Sequence, residues 1–245
     1  MATMLHIFPY LIIISLFLQC AGAQARLSAK LFEPSVLLSK SSTPSLVNVT
    51  LYEEALCPDC AEFITGPLTQ MFQNGLSAIT TLTIIPYGNA KLIGGSIRCQ
   101  HGPDECTLDR IEACVIDFYP DTHSWFSFIS CVEQQPAASR LELWPQCGVA
   151  LGLDVIGIQN CADGEKGAEL EARNRKLTES LDPPHRFVPW VTVDGAPLYE
   201  DLDSFFERIC EAYKGTEKPE TCARLDGAAG TYPSSRNLQL WGHVE

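Results

Sequence analysis

Cys57 and Cys60, in the stretch "LYEEALCPDCAEF" (51–63), stand two residues apart between a β-prone apolar run and the start of a helical pattern. Two thiols at this spacing support three chemistries: half of a zinc site, one structural disulfide, or a dithiol that makes and breaks disulfides in other proteins. At the junction of a strand and a helix a cysteine meets unpaired N–H groups and the positive end of the helix dipole, which favour thiolate over thiol. Cys57 is therefore the candidate nucleophile, and Cys60, about one helical turn farther in, the candidate resolving thiol. Pro58 fits a first helical turn, where its missing N–H is no loss. Asp59 between the sulfurs, and Glu53 and Glu54 just before them, oppose the thiolate. A structural zinc site commonly draws its ligands from two close pairs, and the sequence has no second C-x-x-C. A lone C-x-x-C bridge closes a loop too short to constrain the unfolded chain much. No metal and no other cofactor is expected.

A second candidate lies far downstream in "HRFVPWVTVDG" (185–195). Pro189 stands at the entrance of a strand, and a cis Val188–Pro189 bond would turn this backbone toward the C-x-x-C pair. Val188 and Pro189 are thus the candidate substrate-binding residues.

These residues need a compartment and a scaffold. The apolar run "IFPYLIIISLFL" (7–18) is too short to span a bilayer, and "AGA" (21–23) offers small residues at a cleavage site, so residues 1–23 read as a signal peptide. No Lys or Arg precedes the run, which leaves an uncleaved anchor as the alternative. Of eleven cysteines, Cys20 leaves with this segment, and the even remainder implies disulfides in an oxidising compartment, with Cys210 and Cys222 placed to pair across a polar loop. Asn48-Val49-Thr50 is a glycosylation sequon, with Asn48 the acceptor. A formal net charge of −13 argues against nucleic acid and against anionic membrane surfaces as partners.

Along the chain, 24–45 is a polar, Ser/Pro-punctuated leader. Residues 46–55 read as a strand, the stretch after Cys57 as a helix kinked at Gly66-Pro67, and 79–88 as a second strand parallel to the first. From 91 to about 180 four helical patterns carry six of the cysteines. Strand chemistry returns at 187–198 with Asp194-Gly195 as a hairpin signal, and 202–213 reads as an amphipathic helix. Residues 223–245 read as a mobile or processed tail. The order βαβ, insertion, ββα predicts an α/β chain with a thioredoxin-like fold, over 46–222, split by a mostly helical, cysteine-rich insertion.

The stretch "VNVTLYEEALCPDC", the stretch "CQHGPDECTLDRIEAC" (99–114), "PYGNA" (86–90) and "PPHRFVPWVTVDG" (183–195) together resemble the gamma-interferon-inducible lysosomal thiol reductase family. The family's long signature carries an Asn where this chain has Asp109, which puts in question the amide donor of that position. The resemblance implies that Cys57 and Cys60 are catalytic. It also implies reduction of protein disulfides in an acidic endosomal, lysosomal or vacuolar compartment, from a secreted or precursor form trimmed at its ends. Disulfide-bonded proteins would be the substrates and a thiol of unknown identity the electron donor. Cys99, Cys106 and Cys114 are expected in structural disulfides, and His101 as a capping or packing group rather than a proton donor. Two other functions remain open on the residues: a secretory-pathway oxidase or isomerase, since direction follows reduction potential, and a non-catalytic, disulfide-stapled binding module.

Overall fold

The computed structural model describes residues 45–228, so the expected signal peptide, nearly all of the leader and residues 229–245 lie outside the described residues. Strand β1 (Val47–Glu53) alternates buried and outward positions, with Val47, Val49, Leu51 and Glu53 facing inward. The period-2 pattern that buries three aliphatic side chains thereby also buries a carboxyl at the strand's C-terminal end. The chain then enters α1 (Pro58–Phe63), one π-helical turn (Ile64–Leu68) and α2 (Thr69–Gln73). The kink expected at Gly66-Pro67 takes the form of that π turn: Pro67 has no N–H to donate, and the widened turn accommodates it inside a continuous helical path.

Strand β2 (Thr80–Pro86) pairs parallel to β1 in register Val47↔Thr80 through Glu53↔Pro86. Strand β5 (Trp190–Val193) pairs antiparallel on the other side of β1, and β6 (Ala196–Pro197) closes the sheet in the order β2-β1-β5-β6. The β5–β6 turn places Asp194 at φ 47° and Gly195 at φ 80°, the paired positive angles of a two-residue hairpin loop. Helix α8 (Phe205–Ala212) packs on this sheet, with Phe205 edge-on to Phe63 at 5.2 Å between ring centres.

The insertion differs in detail from the sequence expectation. It opens with an exposed hairpin, β3 (Lys91–Ile93) and β4 (Ser96–Arg98), turned by Gly94 and Gly95 at positive φ. Five helices follow rather than four: α3 (Pro103–Phe118), α4 (Thr122–Glu133), α5 (Arg140–Ala150), α6 (Val155–Asp163) and α7 (Glu165–Glu179). The expected third helix breaks because Gly152 takes φ 70° and Asp154 caps α6 by accepting from the Gly157 N–H at 3.0 Å. Disulfides Cys114–Cys161 and Cys131–Cys147 tie these helices together, Cys99–Cys106 closes the loop before α3, and Cys210–Cys222 joins α8 to α9 (Glu220–Ala228). Helix α9 runs past the expected domain end at 222. The insertion and the sheet share one apolar core, in which Leu51, Phe128, Ile129 and Ile111 are all inaccessible to solvent.

Candidate active site

Cys57 is the N-cap of α1, and its Sγ accepts the Cys60 N–H at 3.2 Å. Pro58 occupies the first helical position, so no orphan donor is lost there. Both thiols are free, while the other eight described cysteines close four disulfides. Cys57 is 5% exposed and Cys60 fully buried, which sets their order of contact with any incoming disulfide. The Cys60 thiol, as hydrogen-bond partner, draws the Cys57 pKa below the ordinary thiol value against the cost of burial, and the Cys60 and Asp59 backbone N–H groups add to it. Burial drives Cys60 the opposite way, well above the ordinary value.

The Val188–Pro189 peptide bond is cis, and the Val188 carbonyl oxygen lies 3.9 Å from Cys57 Sγ. Val188 packs in one small buried cluster with the two cysteines. A second cis bond, Asp182–Pro183, went unread in the sequence. Asn48 sits on the exposed face of β1, its Nδ2 3.4 Å from Asp194 Oδ1.

Beneath the thiols lies a group of carboxyls that sequence spacing could have disclosed. Glu105, Asp109 and Glu112 recur at i, i+4 and i+7 on α3, which puts all three on one helical face, and all three are buried. Glu53 arrives from β1 and Glu133 from α4. Asp109 Oδ1 accepts the Ala55 N–H at 2.9 Å. Burial raises the Asp109 pKa well above the free carboxyl value, and the Glu53 charge adds to the shift. In its protonated form a carboxylic acid, like an amide, offers one acceptor and one donor. Burial likewise raises the Glu53 and Glu112 pKa values well above the ordinary carboxyl value, and neither side chain has a hydrogen-bond partner among the described residues. Arg140 is the buried counter-charge: it donates to the Ala55, Glu133 and Gln135 carbonyls and lies 2.8 Å from Glu133 Oε2.

At the rim, His101 donates its backbone N–H to Glu105 Oε1 at 3.0 Å, and its Nδ1 lies 2.5 Å from Glu105 Oε2 and 3.5 Å from Glu54 Oε1. Its pKa is raised: burial opposes the charge, but Glu105, Glu54 and the Cys57 sulfur outweigh it. His101 packs against Glu105 and Glu54 as the expected capping role requires, and the Cys57 sulfur contributes to its raised pKa. Glu54, His101 and Glu105 are also the described residues whose ligand atoms, all within 4.8 Å, could hold a metal ion. Glu54 is fixed in turn by the Asn89 N–H at 2.8 Å, and Gly88 is obligatory beside it, since a Cβ there would overlap Glu54 Oε2. This is the structural content of "PYGNA".

Two outcomes follow from the burial. Replacing Arg140 by Met should cost about 3–5 kcal/mol in denaturant unfolding, because Glu133 would be left buried without its partner; a loss under about 1 kcal/mol would show the pair to be dispensable. Glu53, Asp109 and Glu112 hold protons more tightly folded than unfolded. Their contribution to stability is complete below the free-carboxyl value near about pH 4 and is lost as pH rises through the raised folded values. His185 and Cys57, both lowered, act oppositely, but Glu54, Glu133, Glu171 and His101 are raised as well and act with the three. The melting temperature by calorimetry should therefore fall between about pH 5 and about pH 8, and a flat or rising profile would contradict this.

Comparison with known proteins agrees with this geometry. Residues 48–150 match the family described as "Gamma interferon inducible lysosomal thiol reductase (GILT)". A "Gamma-interferon-responsive lysosomal thiol protein" of Arabidopsis thaliana is 40% identical over 181 residues, 72% of this chain and 75% of that protein. The "Gamma-interferon-inducible lysosomal thiol reductase" of Mus musculus is 34% identical over 211 residues, 84% of each chain. Among solved structures, BdbD from Bacillus subtilis (oxidised) superposes with a TM-score of 0.54 at 16% identity, covering 69% of this chain and 88% of that one. DsbA of Chlamydia trachomatis gives a TM-score of 0.52 at 14% identity, over 68% and 86% respectively, and these two likenesses speak for the thioredoxin-like fold alone. The chain belongs to the gamma interferon inducible lysosomal thiol reductase family and is a thiol-disulfide oxidoreductase.

Proposed function

We propose that the chain reduces disulfides in protein substrates through Cys57 and Cys60, by way of a mixed disulfide, in an acidic lysosomal or secretory compartment. The observation that carries this is the asymmetry of the two thiols: Cys57 caps the helix with a lowered pKa, and Cys60 lies fully buried behind it with a raised one. The Cys57 thiolate attacks one sulfur of the substrate bond and displaces the other as a thiolate, which takes a proton. Cys60 then loses its proton and attacks Cys57 Sγ, releasing the second substrate thiol and leaving a Cys57–Cys60 disulfide. Two electrons have passed to the substrate, and an external thiol returns them. Val188, whose carbonyl lies 3.9 Å from the attacking sulfur, and Pro189 after it would receive the substrate backbone.

Acid supports this chemistry at this site. As pH falls, Glu53, Glu54, Asp109 and Glu112 take protons at raised pKa values, which removes negative charge from around Cys57. His101 becomes cationic over the same range. The surroundings of the thiolate thus turn favourable where a free cysteine would be a thiol. The names of the relatives carry the word lysosomal, and no helix among the described residues is long and apolar enough to cross a membrane. Asn48, exposed on β1, would carry an N-linked glycan.

Cys60→Ser should accumulate a covalent adduct with a denatured disulfide-bonded protein on non-reducing gels, and Cys57→Ser should neither react nor trap. Trapping by Cys57→Ser would reverse the roles, and wild-type reduction by both variants would remove the pair from catalysis. Alkylation of Cys57 followed against pH should show a midpoint below the free-cysteine value of about 8.5. His101→Gln should raise that midpoint by up to about one pH unit and Glu54→Gln should lower it. A midpoint unmoved in both variants would exclude them from tuning the thiol.

A further inference from the structure

A groove of about 1170 Å³ runs beside the nucleophile, between the α1–π-turn segment on one side and residues 187–189 and 202–206 on the other. Half-buried Phe187, Leu202 and Phe206 supply apolar lining, and exposed Asp59, Glu62 and Asp203 supply charge. None of these three carboxylates has a salt-bridge partner among the described residues, and no Lys, Arg or His lines the groove. The nearby cation Arg186 is already committed, 3.1 Å from Glu200 and over the Tyr199 ring.

We propose that this groove selects extended, unfolded polypeptide segments in which Lys or Arg flanks an apolar or aromatic residue close to the disulfide-bonded cysteine. The inference rests on the dithiol reading above and adds the class of sequence on which it acts. An extended chain sends alternate side chains to opposite sides, so apolar residues can enter the lining while cationic neighbours reach the acidic edge. Val188 and Pro189 belong to the same lining and the Val188 carbonyl lies 3.9 Å from Cys57 Sγ, so a chain held in the groove brings its sulfur to the thiol. Unpaired carboxylates along an apolar cleft attract cations and repel anions before contact, which sets partner choice and encounter rate. Asp59 gains a purpose on this reading. It stands between the two sulfurs, where a carboxylate opposes the thiolate, yet it is exposed and screened by solvent, so its main interaction is with what enters the groove.

The test uses the full chain with Cys57→Ser and Cys60→Ser, and fluorescent peptides free of cysteine, so that binding is read without chemistry. Two peptides share the same Phe and Leu positions and differ in carrying Lys or Glu at the flanks. By fluorescence anisotropy at about pH 6.5 and low salt, the Lys peptide should bind about tenfold more tightly, and the difference should shrink several-fold in about 0.5 M salt. With Asp59→Asn, Glu62→Gln and Asp203→Asn combined, all on the exposed surface, the two peptides should bind alike. Equal binding of both peptides to the parent, binding of neither, or a preference that survives the triple substitution overturns the proposal. A failure of Cys60→Ser to trap substrate would overturn the dithiol reading and leave this measurement unaffected, so the two failures are distinguishable.

Discussion

The backbone N–H and carbonyl of Ala55 are the point on which the site depends. It lies just past the end of β1, where the sheet no longer supplies partners, and its residue is fully buried. Unpaired backbone groups at such a position are costly. The N–H finds Asp109 on α3 and the carbonyl finds Arg140 on α5, so both partners come from the insertion. The insertion thus helps to fix the segment that leads from the sheet into the dithiol, beside the Asn89 N–H that holds Glu54. The charged groups it brings must in turn be accommodated in the interior: Arg140 pairs with Glu133, and burial raises the Asp109 pKa. Each step follows from the need to satisfy one buried peptide.

The same economy explains why so many acids surround a thiolate. Ionised, they would raise the Cys57 pKa; buried, they are neutral over much of the acid range. The single rim histidine supplies charge of the opposite sign when the solvent is acidic. The electrostatic setting of the thiol is thus a function of pH built from groups on β1, α3 and the loop between β4 and α3. The helix N-terminus supplies the constant part of the stabilisation, through the Cys60 N–H that Cys57 accepts.

What was legible in the sequence was what local pattern encodes. The β-branched and aromatic enrichment in 46–55, the C-x-x-C at a strand-to-helix junction and the Asp194-Gly195 turn each fix a conformation within a few residues, and the structure has them. The hairpin at 91–98 was missed although Gly94-Gly95 marks it, because its short strands are exposed and carry little apolar alternation. The break between α5 and α6 was missed because apolar residues continue through it, while the decision falls to Gly152 and the Asp154 cap. The i, i+4, i+7 spacing could have put Glu112 on one face with Glu105 and Asp109, but charged residues on a helix are normally solvated, and the burial of Glu112, Glu133 and Arg140 follows from the tertiary packing of α3 to α5. The doubt over Asp109 likewise needed the partner atom and the burial to be seen.

The four structural disulfides have a consequence of their own. The chain carries, several times over, the very bond it is built to cleave. Three of its bridges have at least one wholly or almost wholly buried sulfur-bearing residue, at Cys114, Cys147 and Cys222, while Cys99–Cys106 is more open. A thiolate must reach a sulfur of its target, so packing restricts access to the three bridges with buried sulfurs more than to Cys99–Cys106. On the proposed function, self-preservation and substrate choice would become one criterion, since burial would shield most of the chain's own bridges while an unfolded chain would expose its disulfides.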